Sequence, residues 1–69
     1  MNEIIFIVTE DDAGGYNARA VGHGIFTQAE TRDDLEQMVR DAVRCHFEPE
    51  ATSPKLIHLH YVHDEVIVL

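Results

Sequence analysis

The run Ile4-Ile5-Phe6-Ile7-Val8 is apolar at every position and built from β-branched and aromatic side chains. Unbroken apolarity over a strand's length predicts a central strand buried on both faces. Glu10-Asp11-Asp12-Ala13-Gly14-Gly15 then collects turn formers, and two glycines able to take φ > 0 predict a hairpin loop. From Tyr16 to Val21 the pattern alternates. Tyr16, Ala18 and Ala20 share one face, and Asn17, Arg19 and Val21 the other, as in an antiparallel partner of the first strand. Gly22-His23-Gly24 breaks the alternation, and Ile25 to Ala29 predicts a short third strand.

Periodicity then changes to that of a helix. Thr31 suits an N-cap, and Asp34 follows at the spacing of a capping box. Asp33 and Asp34 also complement the positive end of the helix dipole. Leu35, Met38, Val39, Ala42, Val43 and His46 form an apolar stripe, widened by Phe47. Glu36, Gln37, Arg40, Asp41 and Arg44 take the opposite side. Pro49 disfavours helical geometry at Glu48, so the helix should stop before it. Glu48 to Pro54 reads as a polar loop.

Alternation returns from Leu56 to Val62, with Ile57, Leu59 and Tyr61 on one face and His58, His60 and Val62 on the other. His63-Asp64-Glu65 interrupts, and Val66-Ile67-Val68-Leu69 reads as a further apolar strand. A tight turn or a bulge would both satisfy that pattern. The expected architecture is α+β: an antiparallel sheet in the order β-β-β-α-β(-β), with one helix on one face. One helix covers one face, and an apolar face left open usually meets a partner. A homodimer is therefore expected.

Size sharpens that expectation. The chain has 69 residues, enough for one domain, read as residues 1–69. A core this small seldom supplies more than roughly 3–5 kcal/mol without a staple. Cys45 is the single cysteine, so an intramolecular disulfide is excluded.

Charge narrows the partners. Five Lys and Arg stand against thirteen Asp and Glu, a formal net charge of −8. Phosphate backbones and anionic membranes attract Lys and Arg, so neither nucleic acid nor a membrane surface is an expected partner. A basic protein is, because complementary charge speeds encounter. The start of the chain lacks a basic segment followed by a long apolar stretch, and with the lone cysteine this reads as cytoplasmic.

Candidate chemistry is sparse. His58 and His60 share a strand face and could supply two zinc ligands. No spacing rule brings a third, so packing or solvation on the sheet face is the expectation, with no metal and no cofactor. Cys45 and His46 are consecutive on the helix and point about 100° apart, which rules out a nucleophile–base pair between them. Glu10, Asp11 and Asp12 lack the alternation of a calcium loop and read as a solvated turn. Gly22-His23-Gly24 opens no strand-to-helix turn, so it does not signal a nucleotide. A non-catalytic protein is expected.

The order of these motifs resembles the amino-terminal domain of HicB-type antitoxins. The likeness runs from Ile4 to Phe47. It includes the acidic turn ending Gly14-Gly15-Tyr16 and the short strand into the helix entry, Ile25-Phe26-Thr27-Gln28-Ala29-Glu30-Thr31. The acidic first turn follows, Asp33-Asp34-Leu35, with the helix continuing through Ala42-Val43. The resemblance implies a partial ribonuclease-H-like fold without nuclease activity. It also implies a protein-binding module that blocks a small basic toxin cleaving messenger RNA. Two departures stand out. Gly22-His23-Gly24 occupies the place of a Pro-Gly-Cys-type loop, and the DNA-binding domain that full-length antitoxins append is not expected in a chain of this length. The chain is more similar to short stand-alone relatives, which end in a His/Tyr-rich strand and a segment like Asp64-Glu65-Val66. The expected contact surface is the acidic helix face or a sheet edge, with Asp34, Glu36 and Asp41 as partner-binding residues. The alternative is a solitary homo-oligomeric accessory domain without a toxin partner.

Overall fold

A computed structural model describes residues 2–47 and 52–69. Its elements are β1 (Glu3–Glu10), β2 (Tyr16–Ala20), β3 (Phe26–Ala29), α1 (Arg32–His46) and β4 (Leu56–Val62). The class is α+β, as the patterning predicts. The four strands form one sheet in the order β3-β2-β1-β4.

The β1–β2 hairpin closes as its glycines require. Gly14 and Gly15 take φ of 94° and 91°. The Asp11 amide donates to the Gly15 carbonyl and the Gly14 amide to the Asp11 carbonyl, both at 3.0 Å. The Asp11 carboxylate accepts from the Ala13 amide at 3.2 Å, so this acid is used in building the turn. The resulting antiparallel register sets Phe6 opposite Ala20 and Val8 opposite Ala18. β3 then pairs antiparallel with β2, Thr27 facing Ala18.

β4 departs from a wholly antiparallel sheet. It pairs parallel with β1, Ile4 beside Ile57 and Phe6 beside Leu59. The helical connection explains this, since a crossover carrying a helix returns the chain in the direction it left. The start of β4 is pinned by the Lys55 and Leu56 amides, both donating to the Asn2 carbonyl at 3.0 Å.

The cap of α1 forms as expected. Thr31 is extended, and its hydroxyl accepts from the Asp34 amide at 3.1 Å. At the other end the Phe47 amide donates to the Val43 carbonyl at 3.0 Å. Pro49 and the first part of the expected Glu48–Pro54 loop lie outside the described residues.

The core gathers Ile4, Phe6, Val8, Ala18, Ala20 and Ile25 from the sheet side, with Leu35, Val39 and Val43 from the helix. The small side chains of Ala18 and Ala20 let α1 lie close over β2 and β3. Two expectations need correction. β1 is not buried on both faces: Ile4, Phe6 and Val8 are, but Ile5 is 41% exposed. The reason is that α1 covers one face only. The helix stripe is also narrower than its periodicity suggests, because Met38 and His46 are exposed. Met38 lies about 100° round from Val39, at the margin of the stripe, and His46 is the last residue of the helix, at the end of the core.

The fifth strand does not form within this copy. Residues 63–69 carry no strand pairing. Val66 is 91% exposed, Ile67 83% and Val68 90%.

Candidate protein-binding surface

The helix and the sheet edge meet in a shallow groove. It is lined by Gln28, Ala29, Glu30, Asp34, Gln37 and Met38 and holds about 360 Å³. A second depression shares Gln28, Ala29 and Glu30 and continues past Asn17 and Tyr16 to Gly14 and Asp11. The two adjoin at Gln28, Ala29 and Glu30 at the end of β3 and together are called the trough. Asp11, Glu30 and Asp34 supply its charge. The half-exposed Met38 supplies an apolar, deformable contact.

The helix-face acids divide into two groups. At about 100° per residue, Asp34 and Asp41 sit two turns apart on one side, while Glu36 lies about 140–160° round from them. Asp34 lines the trough. Asp41 accepts from the Gln37 amide group at 3.0 Å and pairs with Arg44 at 3.7 Å. That ion pair is well exposed and worth little. Glu36 does not join this acidic side.

An aromatic cluster that the alternation alone does not reveal closes the sheet beside the helix entry. Tyr16 and Tyr61 meet edge to face at 6.1 Å between ring centroids. The Arg32 guanidinium stacks 4.5 Å from the Tyr61 ring centroid and 5.9 Å from that of Tyr16. Tyr16 and Tyr61 each fall on the helix-side face of their strand, which was the available signal. The pairing of β1 with β4, which brings the strands into one sheet, was not readable locally. Arg32 is thereby drawn toward the tyrosines at the helix entry.

The histidines separate into two places. His58 and His60 lie on the open sheet face as expected, stacked at 6.4 Å with 21° between planes. His58 Nδ1 is 3.6 Å from a Glu3 carboxylate oxygen, both groups about half exposed. His23 packs against His46 and Phe47 at 5.9 and 5.3 Å between centroids, capping the far end of the helix. No group of three His, Cys, Asp or Glu gathers to hold a metal among the described residues. Cys45 is exposed, and His46 directs its ring contacts to His23 and Phe47. No helix is long and apolar enough to cross a membrane among the described residues.

These features define a small acidic α+β domain whose one helix and sheet edge frame a negatively charged trough. The chain belongs to the UPF0150 protein family. It is 58% identical over 53 residues to a UPF0150 protein of Archaeoglobus fulgidus, covering 77% of each chain. It is 42% identical over 67 residues to a UPF0150 protein of Thermotoga maritima, covering 97% of this chain and 93% of that one. No family model matches the chain. No solved structure matches it either.

Proposed function

We propose that the chain is a non-catalytic, cytoplasmic binding module of the HicB-like antitoxin type, holding a small basic protein in the acidic trough. The observation that carries this reading is the trough itself. Asp11 and Glu30 line one of its two adjoining depressions, and Glu30, Asp34 and Met38 line the other. Arg32, the cation nearest in sequence, is drawn instead toward Tyr61. A basic surface seated there would exchange solvent-screened charge for paired charge, and Met38 would adapt to its shape. In the antitoxin reading the partner is a small RNA-cleaving toxin, and the chain acts by covering it.

The division of the helix acids supplies the test. Asp34→Lys with Asp41→Lys should weaken binding of the basic partner by about tenfold, equivalent to about 1.4 kcal/mol. Glu36→Lys, on the other side of the helix, should change it less than about threefold. Equal losses from both variants, or none from the first, would overturn the trough as the contact.

A second reading has its own observation. The open sheet face exposes Ile5, Val21, Phe26 and Leu56 at 41, 55, 62 and 63%. Such a surface favours a homo-oligomeric domain, which would exist with or without a basic partner.

A further inference from the structure

The most exposed apolar segment of the molecule is not in the trough or on the open sheet face. It is Val66-Ile67-Val68-Leu69, whose residues are between 83 and 119% exposed. It follows β4 after His63-Asp64-Glu65, and no strand partner is found for it in its own copy. The radius of gyration is 13.5 Å, against about 11 Å for a compact chain of 69 residues. One principal extent reaches 52 Å while the others are 20 and 18 Å. An extended segment of the length of 63–69 spans up to about 23 Å, which accounts for such elongation.

Apolarity at successive positions marks a strand covered on both faces. A surface that offers this exists on the same chain. β4 is an edge of the sheet, so the backbone groups on its outer side have no strand beside them. Its helix-side flank is apolar, and its open side is apolar at both ends with His58 and His60 between. Ile57, Leu59 and Tyr61 are only partly buried on the helix side, and Leu56 and Val62 stand on the open side. The other edge fits less well, because β3 is four residues long and carries Gln28.

Pairing within one copy would require a tight reversal at His63-Asp64-Glu65. Two-residue hairpins favour turns with φ > 0, dominated by Gly, Asn and Asp with a Gly at one of the two positions. No glycine occurs in 63–65, and every described residue with positive φ is a glycine, so Asp64 does not take that geometry. The edge of another copy needs no such turn.

We propose that Val66–Leu69 of one copy adds as a strand to the outer edge of β4 in a second copy. The added strand satisfies the edge backbone and buries its side chains against Ile57 and Leu59 on the helix side and beside Leu56 and His58 on the open side. This inference does not depend on the basic-partner reading, and salt separates the two. Copies that each carry a net charge of −8 repel, so added salt strengthens their association. A contact with a basic protein weakens under the same change.

The test uses the full chain with Val66→Lys and Val68→Lys together. These substitutions lower the net negative charge, so any loss of association arises against the electrostatic trend. Neither residue packs within its own copy, so circular dichroism should remain that of the folded domain. Sedimentation equilibrium should give twice the chain mass for the parent protein and a dimer weakened at least about tenfold in the variant. Hydrogen exchange should show amides 66–69 and β4 gaining protection together as protein concentration rises. Three results would overturn the proposal. They are a parent protein that stays monomeric, a variant that dimerises as tightly as the parent, and protection of 66–69 that is independent of concentration. The last would mean a hairpin within one copy.

Discussion

Gly14 and Gly15 are adjacent, both have positive φ, and they should respond very differently to the same substitution. At Gly14 an added Cβ meets nothing within 4 Å. At Gly15 it would lie 2.9 Å from the Ala29 carbonyl oxygen and 3.4 Å from the Glu30 Cα. Both positions incur the left-handed penalty for a non-glycine residue, roughly 1–2 kcal/mol. Both regain up to about 1 kcal/mol because alanine restricts the unfolded chain. Only Gly15 adds overpacking, about 1–3 kcal/mol, and its obstacle is backbone that cannot rotate aside. Gly14→Ala should therefore cost about 1 kcal/mol and Gly15→Ala about 2–4 kcal/mol. A core of this size supplies roughly 3–5 kcal/mol in all, so the second change removes half the stability or more. Urea unfolding followed by circular dichroism measures the difference. With a slope near 1 kcal/mol/M, the midpoint should fall by about 1 M for Gly14→Ala and about 2–4 M for Gly15→Ala. Equal shifts would refute the reasoning, because they would leave the approach of the hairpin to the end of β3 without energetic consequence.

Three further outcomes are expected. Phe6→Ala removes a fully buried ring and should cost about 3–5 kcal/mol, enough to unfold the domain in the same assay. Ile5→Ala, on the open face of the same strand, should cost far less in a monomer at high dilution. Thr31→Ala removes the hydroxyl that accepts from the Asp34 amide and should cost about 1 kcal/mol, read from the same urea midpoint.

Much of the local structure is legible because it is chemically local. The hairpin needs φ > 0 and has Gly14 and Gly15 there. The helix needs a hydroxyl at its entry and has Thr31. Leu35, Val39 and Val43 carry the helix spacing and are the helix residues that bury. What alternation and periodicity do not encode is which neighbour covers a given face. Ile4–Val8 is apolar throughout, and the same run is compatible with two covered faces or with one covered face and one awaiting a partner. The exposure of Ile5 decides for the second within a single copy. The parallel pairing of β4 with β1 is not encoded locally for a related reason, since it depends on where the helical crossover returns the chain.

The candidate surface was only half legible. Periodicity places Asp34 and Asp41 on one side of the helix, and acidity and exposure alone do not separate Glu36 from them. The contribution of Asp11, Glu30 and Met38 to the same trough requires the tertiary approach of the hairpin, β3 and α1. Val66–Leu69 is the converse case. Its strand character was readable, and its lack of a partner within the copy was not.

The account rests on a basic protein occupying the acidic trough. The most direct measurement is capture of partners from native lysate on the immobilised full chain. Parallel captures would use the Asp34→Lys/Asp41→Lys and Glu36→Lys variants, with rising salt washes and identification by mass spectrometry. The account predicts a small basic protein that the parent chain and Glu36→Lys both retain, that elutes as salt rises, and that the double variant fails to hold. Recovery of only further copies of the chain, or a partner held equally by all three, would contradict it.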